Sequence, residues 1–138
     1  GRAAKQTGMV VLQRGDVVLP IIAGAEAVVH VVGDEGAVLG PRLVSLRTDP
    51  GRLDPDYLAG LLRVAVASGP PRPSSGSRTD VRRLPVTLVP PVRQRELGAA
   101  FRELSAFRDA LHACMRSGED LVLAAGAGLA AGRLTSGA

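Results

Sequence analysis

The chain has no tryptophan and no asparagine, and only three aromatic residues, Tyr57, Phe101 and Phe107. A core built from it must therefore rest on Val, Leu and Ala. The same scarcity disfavours a stacking platform for single-stranded nucleic acid, which needs aromatic side chains among its basic ones. Cys114 is the sole cysteine, so an internal disulfide and a zinc knuckle are excluded. Its helical position among apolar residues predicts a buried, inert thiol. The longest apolar run, LVLAAGAGLAAG from Leu121, is too short and too rich in small residues to span a bilayer, and nothing at the start resembles a signal peptide. The expectation is a soluble cytoplasmic protein with no membrane partner. The first residue is Gly1 rather than Met, which points to a fragment or a tag remnant.

Lysine is nearly missing too. Of 17 basic residues only Lys5 is lysine, and the formal charge is +4. The basic surface is thus guanidinium, a planar fork that matches phosphate oxygens and the guanine edge. A GC-rich coding sequence also yields arginine, alanine and glycine, so the placement of the arginines carries more weight than their number.

What is present fits one globular domain of 138 residues with a helical appendix, 46% hydrophobic and 22% charged. The first half reads as short strands. MVVLQ (9–13) and VVLPII (17–22) flank an Arg14-Gly15-Asp16 turn; AEAVVHVV (25–32) and AVLGPRLVSLRT (37–48) flank Gly33-Asp34-Glu35-Gly36. β-branched runs divided by Gly/Asp clusters predict two successive hairpins. Pro20 and Pro41 favour edges or bends.

From Asp54 the period changes. DPDYLAGLLRVAVASG (54–69) sets Leu58, Leu61, Leu62 and Ala65 on one face, with Asp54 as N-cap, Pro55 at the first helical position and Gly69 at the stop. PPRPSSGSRT (70–79) is a loop, 85–89 predicts a strand, and a helix is expected from about Val92 to Arg116. Leu97, Phe101, Leu104, Phe107, Leu111 and Cys114 recur on it at steps of three and four, a coiled-coil-like seam. Ser117-Gly118 predicts a break, after which Asp120 to Leu134 would fold back as an antiparallel second helix.

Signs of catalysis are thin. His30 and His112 have no second ligand at metal spacing, the serines of the 68–77 region lack a G-x-S-x-G elbow, and no glycine-rich stretch has phosphate-binding form. Asp54 and Asp56 read as a helix start. The expectation is a non-enzyme. The arginines say more: Arg72, Arg78, Arg82 and Arg83 crowd one loop before the predicted strand; of these Arg78, Arg82 and Arg83 are the leading candidates, with Arg42, Arg47 and Arg72 as weaker ones. Such a loop is either a solvated polar segment or an edge that tracks phosphates and reads bases.

The order of the motifs carries a resemblance. LQRGDVVLP (12–20), LDPDYLAGLL (53–62) and SGSRTDVRRLPVTLVPPVRQRELGAAFRELSAF (75–107) together resemble a target-recognition domain of type I restriction–modification specificity subunits. The same module occurs fused to the C-terminus of N6-adenine DNA methyltransferases. The likeness covers about residues 9 to 116. A full specificity subunit carries two recognition domains and two helical segments; one of each is present here.

The resemblance implies an α+β recognition domain of short twisted strands and a helix (1–91), followed by a long helix or helical hairpin for docking or dimerisation (92–138). It implies a domain that grips double-stranded DNA and directs a methyltransferase subunit or domain, docked through Leu97, Phe101, Leu104, Phe107 and Leu111, with a homodimer through the long helix as a further partner. No cofactor is expected in this chain, since S-adenosylmethionine would belong to the methyltransferase. The competing expectation is a protein-interaction module that works through the C-terminal helical hairpin and binds no DNA specifically.

Overall fold

The computed structural model describes residues 9–21, 28–68 and 86–133. The fold is α+β: three short strands, β1 (Val17–Pro20), β2 (His30–Val31) and β3 (Leu43–Leu46), then α1 (Pro55–Ala67) and α2 (Pro91–Ala130). The chain divides into two compact units, Gly1–Arg102 and Glu103–Ala138.

In the first unit β1 is the central strand of an antiparallel sheet ordered β2-β1-β3. Val17 lies opposite Val31 on one side and Leu46 on the other, and Leu19 lies opposite Val44. Val17 and Leu19 alternate along β1 and are fully buried, joining Val29, Leu58, Ala59 and Leu62 in one cluster under α1. Period two on the strand meets period 3.6 on the helix. Pro20 sits at the end of β1, where a missing N–H does least harm.

The pairing differs from the two predicted hairpins. Segment 9–13 does not pair with β1; Val11 bridges Val38 instead, flanked by bonds from the Leu12 N–H to the Ala37 carbonyl and from the Leu39 N–H to the Val10 carbonyl. The turn explains the change. Gly15 has φ +87°, and Asp16 accepts the Gln13 N–H in its side chain while donating its own N–H to the Gln13 carbonyl. Gly15 and Asp16 then bond to Val32, so the chain leaves the turn into a pair with β2. Residues 22–27 of the predicted strands lie outside the described residues.

α1 starts as predicted. The Asp54 carboxylate accepts the Tyr57 N–H at 2.9 Å and Pro55 opens the helix. Ser68 closes it, its N–H bonded to the Val64 carbonyl. Leu58 and Leu62 are buried; Leu61 and Ala65 are half-buried.

Two further expectations are corrected. Residues 86–89 form no strand: they find no sheet neighbour, and the segment ends at Pro90, which has no N–H to offer a ladder. And α2 is one helix through Ser117-Gly118, not two helices folded back on each other. A glycine inside a helix costs about 1 kcal/mol relative to alanine, too little to break a run rich in Ala, Leu and Arg that contains no proline after Pro91. Cys114 is exposed rather than buried, because among the described residues no second helix returns to cover it.

Candidate functional site

Within the first unit the start of α2 is tied to α1 by a set of contacts centred on Gln94. Its side chain is 3% exposed, yet every polar atom is used. Oε1 accepts the N–H of Asp54, the α1 N-cap, at 3.0 Å. Nε2 donates to the Val89 carbonyl at 2.8 Å and to the Arg52 carbonyl at 3.3 Å. One amide thus binds the segment before the prolines, the loop before α1 and the α1 cap. A buried amide earns its place only when so satisfied.

Close packing completes the joint. Gly98 lies so near the Asp54 carboxylate and the Tyr57 N–H that a Cβ there would collide with both. Gly60 is covered by the Phe101 ring, leaving no room for a methyl group. The Tyr57 and Phe101 rings lie 6.4 Å apart, tilted by 44°. The Tyr57 hydroxyl donates to the Thr87 carbonyl at 2.7 Å, and Arg102 pairs with Asp56 at 2.7 Å. The segment 86–90 is therefore held by side-chain bonds in place of a sheet.

The candidate arginines fall into two groups. Arg72, Arg78, Arg82 and Arg83 lie outside the described residues. Arg42 and Arg47 flank β3. Arg42 is exposed, sits in the left-handed region at φ 66°, and its carbonyl accepts the Ile21 N–H. Among the described residues its guanidinium has no ion-pair or hydrogen-bond partner. Arg47 has a partner: Nε and Nη2 donate to the two carboxylate oxygens of Asp16 at 2.9 and 2.8 Å, a bidentate fork. Asp16 is 2% exposed. The hydrogen bonds from Arg47 hold its carboxyl below the ordinary carboxylate range against the opposing effect of burial, and the Gln13 N–H helps. Arg47 is pushed up in turn by the same contact. Its guanidinium serves the turn that launches β1.

The docking residues also divide. Leu97 and Phe101 are half-buried in the first unit. Leu104, Phe107 and Leu111, in the second, are 63%, 64% and 49% exposed. Exposure of large apolar side chains continues along α2 to Met115, Leu121, Val122 and Leu129. Contiguous apolar surface of this kind marks interaction sites.

His30 and His112 are exposed, and among the described residues no group of three His, Cys, Asp or Glu could hold a metal. No described helix is long and apolar enough to cross a membrane. Sequence reading missed the role of Gln94, which has no periodic signal, and that of Asp16, whose partner lies 31 residues away. Comparison of the chain with protein-family models, curated proteins and solved structures finds no match.

Proposed function

We propose that this chain is the DNA target-recognition domain of a DNA-modification system, which binds duplex DNA and directs an N6-adenine methyltransferase docked through α2. The observation that carries the reading is the joint at Pro90-Pro91: an α+β body locked by Gln94 to the start of a helix whose later turns bear an uncovered apolar face. Such an arrangement suits a module that must hold DNA with one part and protein with another.

The division of labour follows from side-chain chemistry. Arg78, Arg82 and Arg83, with Arg72 and Arg42 in support, would neutralise phosphates and offer paired N–H donors to guanine. Phosphate contacts fix register, and base contacts choose the site. Leu104, Phe107 and Leu111 would bury against the methyltransferase. Methyl transfer from S-adenosylmethionine, and extrusion of the adenine that it requires, belong to that partner. The test replaces Arg78, Arg82 and Arg83 by alanine and compares duplex binding with wild type. Weaker binding with a shallower salt dependence is expected; unchanged affinity and slope would remove these arginines from the DNA surface.

A second reading is favoured by the same exposed face of α2: a protein-interaction module whose arginines reflect coding composition. It predicts partner binding lost on Leu104→Glu or Phe107→Glu, with only weak, sequence-blind attraction to DNA.

A further inference from the structure

The two outer strands of the sheet end differently. On the β2 side the Gly15 N–H bonds to the Val32 carbonyl and the Val32 N–H to the Asp16 carbonyl. By the alternation of an antiparallel ladder, Val29 and Val31 then turn their backbone groups outward. Arg63 of α1 covers that edge: its Nε and Nη2 donate to the Val29 carbonyl at 3.0 and 2.8 Å. On the other side the bond from the Ile21 N–H to the Arg42 carbonyl sets the phase. Leu19 lies opposite Val44 and Val17 opposite Leu46, so Val44 and Leu46 bond to β1 while Leu43 and Ser45 present N–H and C=O to the outside. Among the described residues no strand and no side chain bonds to those outward groups. β3 also contains neither proline nor lysine, the usual guards of an open edge.

We propose that the outer edge of β3 receives an extended segment of a partner protein as an added antiparallel strand, apolar opposite Val44 and Leu46 and acidic opposite Arg47. The proposal stands apart from DNA binding and from the exposed face of α2. Alternating main-chain donors and acceptors are met in register only by another extended chain, whose backbone supplies the affinity and whose side chains supply the choice.

The side chains of β3 state what that strand must carry. Val44 and Leu46 are half-buried against the core cluster, so apolar residues opposite them cover the surface they still expose. Arg47 spends Nε and Nη2 on Asp16, which leaves Nη1 on the far edge of the fork without a hydrogen bond. Its side chain is 53% exposed, and the fork already fixes its rotamer, so a carboxylate meeting Nη1 costs little further ordering. A second copy of β3 fits this edge less well. Paired antiparallel about Ser45, it would set Arg47 opposite Leu43 and offer no carboxylate.

The probe is a fluorescein-labelled peptide with the core Glu-Val-Thr-Val-Thr, which in antiparallel register sets Glu opposite Arg47 and the two valines opposite Leu46 and Val44. Binding to the full chain is read by anisotropy, and amide hydrogen exchange is read by NMR. In the free chain the Leu43 and Ser45 amides should exchange fast and those of Val44 and Leu46 slowly; added peptide should protect the first pair. Replacing Glu by Lys in the peptide should weaken binding about fivefold, through loss of an exposed charge pair and gain of a repulsion. Ser45→Pro should abolish binding with the circular dichroism spectrum unchanged, because an outward N–H is not used by the fold. Where that variant does not fold, the exchange pattern decides. Slow Leu43 and Ser45 amides in the free chain, no binding at millimolar peptide, equal affinity for the Glu and Lys peptides, or a folded Ser45→Pro chain that still binds would each overturn the proposal. A free chain that self-associates with protection of the Leu43 and Ser45 amides would also overturn it, by giving the edge to a second copy.

Discussion

Among the described residues of the first unit Asp16 and Gln94 are the two buried polar side chains, and each joins parts of the chain that are distant in sequence. Truncating Gln94 to alanine would strand the Asp54 N–H and the Val89 and Arg52 carbonyls in a closed environment. Unsatisfied buried groups cost about 1–3 kcal/mol each, reduced where water can enter. Gln94→Ala should therefore lower the urea midpoint by an amount equivalent to about 2–4 kcal/mol. Gln94→Glu should also destabilise at neutral pH, since a carboxylate can accept from Asp54 but cannot donate to two carbonyls. Asp16 makes a prediction about acid. Its folded-state pKa lies below its ordinary value of 3.8, so its contribution is fully present above that value and is lost as pH falls through the lower, folded-state pKa. Denaturation midpoints of wild type and Asp16→Asn, measured across this range, should differ at neutral pH and converge in acid. A constant gap would show that the carboxylate's charge is not what matters.

At the scale of elements, legibility followed the strength of local signals. The start of α1 was readable because Asp54 and Pro55 fix a cap within a few residues. The helical course of α2 was readable from about Val92 because periodicity needs no partner. Strand pairing was not, since Val11 chooses Val38 through a turn geometry that depends on Asp16 accepting a side-chain bond from Arg47. The break expected at Ser117-Gly118 failed because one glycine cannot outweigh helical neighbours on both sides. The contact of α1 with the first turns of α2 offers its own test. Gly60→Ala must displace the Phe101 ring, and overpacking of this kind costs about 1–3 kcal/mol. In a Phe101→Leu background the same substitution should cost less, a coupling that a double-mutant cycle in urea would detect. Strict additivity would mean that the ring does not rest on Gly60.

For the whole molecule, the proposal gives DNA to the arginines before Pro90 and protein to the seam after Phe101. Arg47 illustrates why residue type alone could not locate the DNA surface: an arginine as basic as the others proves to be the partner of a buried aspartate. Arg72, Arg78, Arg82 and Arg83 keep their candidacy on sequence placement. The most direct measurement is the affinity of the chain for duplex DNA as a function of salt, using a short duplex pool and fluorescence anisotropy. Counterion release predicts a linear fall of log K with log salt, with a slope that grows by about 0.9 for each phosphate contacted. A steep slope that becomes shallower in the Arg78→Ala, Arg82→Ala, Arg83→Ala variant is the predicted result. Negligible duplex binding at low salt, or a slope identical in wild type and variant, would contradict the account.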